Sequence, residues 1–242
     1  MAAVLEARGL SKSFGGLQAV VDIDFSVAQG EVLGIAGPNG SGKSTLFNIL
    51  TKVPFAADRG AVLLDGRPIQ RLRAHEIARL GVARTFQRES VFPSLSAVDN
   101  VLLAAEGARR GNFAANLAAA EQALDLAGFP ATLHNMVAGQ LPVFLRKLVM
   151  IASALALQPR VLLLDEPASS LTPQEIERIR DLIAKLVGEG MTILLIEHVL
   201  PLLTAVSDRL MVLDHGTLIA SGLPADVIAN PAVIEAYLGR ER

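Results

Sequence analysis

The sequence has 242 residues, no cysteine, no tryptophan, one tyrosine and a formal net charge of −2. That length supports one large core, or a core with a smaller subdomain, without disulfide or thiolate–metal staples, and the lack of cysteine fits a reducing compartment. The balanced charge excludes an electrostatic case for nucleic acid as the main partner.

The first ten residues, MAAVLEARGL, lack the basic region and long apolar segment of a secretion signal. Residues 4 to 34 read as antiparallel strands. In VVDIDFSVA, Val21, Ile23, Phe25 and Val27 alternate with Asp22, Asp24 and Ser26, which predicts a sheet with one wet face. The preceding turn, Ser-Phe-Gly-Gly, carries Phe14, a ring that would either stack on a purine base or plug the hairpin.

The apolar run VLGIAG predicts a buried strand leading into Gly37, Pro38, Asn39, Gly40, Ser41, Gly42, Lys43, Ser44 and Thr45. These residues fit the phosphate-loop pattern G-x-x-x-x-G-K-[ST]. The glycines let the backbone turn left-handed and point successive N–H groups at phosphate oxygens. KSTLFNILTK predicts a helix whose unpaired N-terminal donors and dipole favour an anion. Lys43 would reach the outer phosphates and the Ser44 hydroxyl would ligate Mg²⁺. The alternative is a chance glycine turn, against which the strand before and the helix after both argue.

AVLLDGRPI predicts a second hairpin turning at Asp65-Gly66. A helix over 72–80 ends at Gly81, and VARTFQ reads as a short strand ending in Gln87, either a ligand-sensing side chain or a plain loop amide. From 88 to 140 the character changes: VDNVLLAAEGARR and NFAANLAAAEQALDLAG predict alanine-rich helices broken at Gly111 and Gly128, a helical insertion. A helix over 144–157 returns the chain to the core. Its apolar stretch Leu148 to Leu157, interrupted by Ser153 and stopped by Pro159, is too short to span a membrane. Hydrophobic residues nevertheless make up 51% of the chain, which points to further surface buried against a partner, or to the alanine-rich helices alone.

VLLLDEP predicts a central parallel strand covered on both faces, with Asp165 and Glu166 at its carboxyl end, where open α/β sheets bind ligands. The first acid suits Mg²⁺ bridging phosphates; the second suits orienting or deprotonating an attacking water. Thr172, Pro173 and Glu175 mark the start of a helix over 173–189. MTILLIE then presents Glu197 and His198 at a third strand end. A lone histidine is usually structural, but this coincidence of polar residue and strand end weighs the other way. RLMVLDHGTLIAS predicts a meander, followed by two short helices around Asn230-Pro231.

The order of phosphate loop, Gln87, helical insertion, Asp165-Glu166-Pro167 and His198 resembles the ATP-binding subunit of ABC transporters over essentially the whole chain. The tail SDRLMVLDHGTLIASGLPADVIANPAVIEAYLG, with FGGLQAV and GVARTFQ, most resembles the cassettes of branched-chain amino acid importers. The resemblance implies an α/β P-loop NTPase fold in a single domain, 1–242. Its parts would be a mainly parallel core sheet, an antiparallel β subdomain and an α-helical subdomain inserted at about 88–157. With ATP and Mg²⁺ as cofactors, it implies Phe14 on adenine, Lys43 on the β- and γ-phosphates, and Ser44, Gln87 and Asp165 serving the metal and its water. Glu166 would act on the attacking water and His198 would contact the γ-phosphate. The adenine and histidine roles rest on the resemblance alone. The implied partners are transmembrane permease subunits docking near the region after Gln87, a second ATP-binding cassette and, indirectly, a solute-binding protein. The implied place is the cytoplasmic face of the inner membrane, and the implied cargo is branched-chain or other small amino acids or amides.

One departure stands out. The family's Leu-Ser-Gly-Gly-Gln signature, which holds the ATP bound to the facing cassette, falls on Leu141-Pro142-Val143-Phe144-Leu145, where the leucine alone matches. Pro142 offers neither hydroxyl nor N–H, and Val143 and Phe144 block the backbone approach that glycine permits. Gly139-Gln140 lies too far upstream to substitute without a shifted loop. Thr172 is a second departure, at a position where the family prefers an acidic or amide residue. The expectation is therefore a heterodimer with one hydrolytic site and one that binds ATP but turns over poorly. The alternative is a regulatory cassette with negligible hydrolysis of its own. A cassette acting on DNA or the ribosome is disfavoured by the absence of a basic excess, and a P-loop kinase by the absence of any acceptor site.

Overall fold

In the computed structural model, residues 3–87, 90–108 and 112–238 are described; the break expected at Gly111 and the last four residues lie outside them. The chain begins as antiparallel strands β1 (Ala3–Phe14) and β2 (Leu17–Ala28), paired from Phe14↔Leu17 to Ala3↔Ala28. The expected alternation in β2 is only partly kept. Val20, Ile23 and Val27 are buried, whereas Val21 and Phe25 are half-buried. Asp22 takes φ +51° and donates its N–H to Ser11 Oγ, and the β1–β2 register slips beside it, so the inward face is re-phased.

The strand β3 (Val32–Ala36) is not antiparallel to these. It lies in the second sheet, parallel to β8 (Thr192–Ile196) on one side and β9 (Arg209–Asp214) on the other. All five of its residues are buried, which is why it reads as an unbroken apolar run. The helix α1 (Lys43–Thr51) follows the phosphate loop. β4 (Arg59–Leu64) and β5 (Arg67–Pro68) form the second hairpin, with Asp65 and Gly66 both at positive φ as the tight turn requires. They extend the first sheet to the order β2-β1-β4-β5.

After α2 (Ala74–Arg79) comes β6 (Val82–Arg84), shorter than expected: Gln87 lies three residues past its end. Helices α3 (Ala97–Ala108), α4 (Phe113–Leu126) and α5 (Val143–Leu155) pack against one another, and α5 also touches the core sheet. β7 (Val161–Asp165) follows, then α6 (Pro173–Gly188), whose Thr172–Glu175 capping box forms as expected. The chain closes with β8, α7 (Leu200–Val206), β9, β10 (Thr217–Gly222), α8 (Pro224–Ile228) and α9 (Pro231–Leu238). The core sheet has the order β10-β9-β3-β8-β7-β6, with β10 alone antiparallel to its neighbour. No helix of the described residues is long and apolar enough to cross a membrane.

The core sheet separates two apolar clusters. Val32 and Ala36 of β3, with Leu162 and Leu164 of β7, face α3 to α6. Leu33, Ile35, Val161 and Leu163 face α1 and the antiparallel sheet, where Phe47 is fully buried. Phe47 anchors the helix that starts at the phosphate loop, so Phe47→Ala is expected to cost about 3–5 kcal/mol of stability by denaturant unfolding.

Candidate functional site

The phosphate loop runs from the end of β3 to the start of α1. Gly42 sits at φ +103°, and a Cβ there would lie 2.3 Å from the Ala19 carbonyl oxygen, so the close pass of β2 behind the loop requires glycine. Gly42 also caps α1 without a side-chain hydrogen bond, leaving the helix N-terminus without a side-chain lid. Lys43 is buried and folds back over the loop, donating to the carbonyls of Gly37 at 2.7 Å and Pro38 at 3.0 Å. The hairpin turn between β9 and β10 braces the loop, Gly216 N–H donating to Ser41 O at 3.1 Å.

A cleft of about 500 Å³ opens on this loop. Its walls bring together Asn39 to Thr45 with Gln87, Glu166 and His198, four separated stretches of sequence. Glu166 is the centre of a small network. Its Oε2 accepts from Gln87 Nε2 at 2.9 Å, and its Oε1 meets His198 Nε2 at 2.7 Å. Its backbone is left-handed at φ +51°, a rare conformation for a non-glycine residue, held by its N–H to Ile196 O and by Lys147 Nζ to its own carbonyl.

Asp165 lies behind this wall, almost wholly buried. Arg84 Nη2 donates to its Oδ2 at 2.7 Å, and the backbone N–H of Asp165 donates to Thr85 Oγ1 at 3.1 Å. Its other oxygen, Oδ1, is buried with no hydrogen-bond partner among the described residues. Burial pushes the Asp165 carboxyl above the ordinary range, the Arg84 hydrogen bond and charge pull it back, and the Lys43 charge acts in the same downward direction. Through Arg84, which also reaches Asn48 of α1, the strand-end aspartate is tied to the helix that begins with Lys43.

Phe14 stands apart from the cleft wall, packed edge-on against Phe55 at 4.9 Å with Lys12 over its ring; Leu17, opposite it in the hairpin, does line the cleft. At 141–145, Leu141 is buried, Pro142 caps α5 without a side-chain bond, and Phe144 turns inward beneath the Arg178 guanidinium at 4.4 Å. Gly139 is bonded through its N–H to Pro93 O, which holds Gly139-Gln140 in its own 3-10 turn.

Several contributors escaped the sequence reading. Arg84 joins Asp165 to Asn48 Oδ1 of α1 at 2.6 Å. Glu197, expected beside His198 without a role, is a buried clamp: it accepts from Ala168 N–H at 2.6 Å and His198 N–H at 3.1 Å. Burial pushes its carboxyl up, and the amide donors of Ala168, Val199 and His198 oppose that. Gln18 and Ala19 line the cleft with Leu17, and so does His215 in the turn before β10. The Asp-His-Gly turn sequence is the local signal that could have pointed to His215.

Comparison with known proteins identifies the chain's relatives. The ABC transporter family model matches residues 20–169, and the branched-chain amino acid ATP-binding cassette transporter model matches residues 217–242. The chain is 39% identical to the high-affinity branched-chain amino acid transport ATP-binding protein BraF of Pseudomonas aeruginosa, covering 98% of each. It is 37% identical to the corresponding protein LivG of Escherichia coli, again over 98% of each. Among solved structures, a nucleotide-free ATP-binding cassette from an ABC transporter superposes with a TM-score of 0.89 at 30% identity, covering 98% of this chain and 100% of that one. A dimeric cassette in a post-hydrolysis state with ADP and Pi superposes at 0.82 and 26% identity, covering 91% of this chain and 98% of that one. The chain belongs to the ABC transporter family, as an ATP-binding cassette of the kind that couples ATP hydrolysis to transport, among the branched-chain amino acid transport ATP-binding proteins.

Proposed function

We propose that this chain binds ATP with Mg²⁺ and hydrolyses it as one cassette of an importer for branched-chain or other small amino acids or amides. It would sit peripherally on the cytoplasmic face of the membrane against permease subunits, fed indirectly by a solute-binding protein. The observation that carries the reading is the single cleft that gathers the phosphate loop, Gln87, Glu166 and His198. The relatives' names support the cargo class.

The cleft supports the phosphate-side roles, and the family resemblance supports those of Phe14 on adenine and His198 on the γ-phosphate. The loop amides and the α1 N-terminus hold phosphate oxygens, and Lys43, freed from its carbonyls, turns its charge onto the outer phosphates. The orphaned Asp165 Oδ1 and the Ser44 hydroxyl are oxygen donors that would hold a hard cation, and Gln87 would serve its water. A cation held there would supply positive charge to offset that of the nucleotide. Glu166 accepts the proton of the attacking water, and His198, already bonded to Glu166, contacts the γ-phosphate. Phe14 stacks on adenine once its ring leaves Phe55. The helical block, about 88–157, is a subdomain of one domain spanning the chain.

The partner cassette is a different chain. At 141–145 the start of α5 offers a proline cap and an inward phenylalanine where a facing ATP needs a hydroxyl and open glycine backbone, a degenerate signature. This chain's own phosphate loop, completed by a partner's intact signature, would be the hydrolytic site. The purified chain alone is therefore expected to turn over ATP at least tenfold more slowly than its mixture with a second cassette of the same system. Equal rates would exclude the heterodimer. A regulatory cassette, supported by the same proline cap, would leave the mixture's rate unchanged by substitutions at Glu166.

A further inference from the structure

The residue Gly37 leaves β3 just beyond the last β3–β9 pair, Ala36↔Val212, so its N–H has run out of sheet. That N–H donates at 2.8 Å to the hydroxyl oxygen of Tyr237, 200 positions further along the chain. On the other side of the same residue, the Gly37 carbonyl accepts from Lys43 Nζ at 2.7 Å. There is little slack at this point: at φ +145°, a Cβ on Gly37 would meet Leu213 O at 2.2 Å and Ser41 Oγ at 2.6 Å. The tyrosine is carried by α9, which is pinned by buried Val233 and by the Asn230 side chain accepting from Ala232 N–H at 2.9 Å. Its ring packs half-buried against the cluster under the sheet. Neither Gly37 nor Tyr237 lies on the cleft wall, so this contact reaches the loop from behind.

We propose that Tyr237 is a positioning residue for the phosphate loop, its hydroxyl fixing the Gly37 amide so that the loop and Lys43 are pre-set for phosphate. The C-terminal helix is then a mechanical part of the nucleotide site although it never touches nucleotide. Removing the hydroxyl leaves the ring's packing in place but frees the first peptide of the loop. The loop must then be ordered at the moment of binding, which weakens affinity. The inference rests on the loop binding nucleotide, and the experiment separates the two.

Binding of a fluorescent, non-hydrolysable ATP analogue is measured for the full chain and for Tyr237→Phe, alongside their thermal midpoints. The expected result is a dissociation constant raised about threefold to tenfold in the variant, with the midpoint nearly unchanged. Equal affinities in the two proteins, or a loss of affinity matched by a large fall in the midpoint, would overturn the inference. Failure of the wild-type chain to bind the analogue would instead overturn the proposed function.

Discussion

Replacing Glu166 by Gln is expected to lower ATP turnover of the mixed cassette pair by about 10²–10⁴-fold while nucleotide still binds. The amide keeps the size of the carboxylate and can still bond Gln87 and His198, so the walls of the cleft stay in place. What it loses is the ability to take a proton from water. The same change in the corresponding carboxylate of the partner cassette should cost far less, because that carboxylate would face the proline-capped start of α5 in this chain. Steady-state phosphate release from the two singly substituted pairs tests this asymmetry. Equal losses from the two substitutions would mean that both composite sites fire, and the degenerate-signature reading would be abandoned.

The second large effect is expected at Arg84, and it is one of stability. The Arg84 side chain is 6% exposed and that of Asp165 1%, so both charges have left water and each depends on the other. Arg84→Met strands the aspartate in the interior and is expected to destabilise the chain by about 3–5 kcal/mol, measured by the denaturant midpoint. A second change, Asp165→Leu, should restore part of that loss, since an apolar pair of similar size needs no compensation. Arg84→Lys should fall between, because one ammonium cannot reproduce two donors reaching Asn48 and Asp165 in different directions. If Arg84→Met melted like the wild type, the pair would have to be far better hydrated than its burial implies.

Local signals were read correctly from the sequence, and distant ones were not. The Thr172–Glu175 capping box, the Asp65-Gly66 turn and the unbroken apolar runs of β7 and β8 each depend on a few consecutive residues, and each forms. The phosphate loop is equally local. By contrast, nothing near Val32 reveals that β3 lies between β8 and β9, because that is settled by which apolar strands find each other. For a similar reason β6 ends at Arg84, before the Gln87 that the sequence pattern predicts. Thr85 turns its hydroxyl to the backbone of Asp165, and pairing beyond it gives way to a loop. Arg84 reads as an ordinary strand residue until the aspartate 81 positions away is placed beside it. The altered phase of β2 required the left-handed Asp22, a conformation that side chain tolerates but does not announce.

The shared wall between the two apolar clusters means that neighbours in sequence belong to different mechanical neighbourhoods. Leu163 presses toward α1 and the antiparallel strands, while Leu164, one peptide further on, presses toward the helices of the 88–157 region. A disturbance arriving from either side is therefore felt by the same five-residue strand, and that strand ends in Asp165.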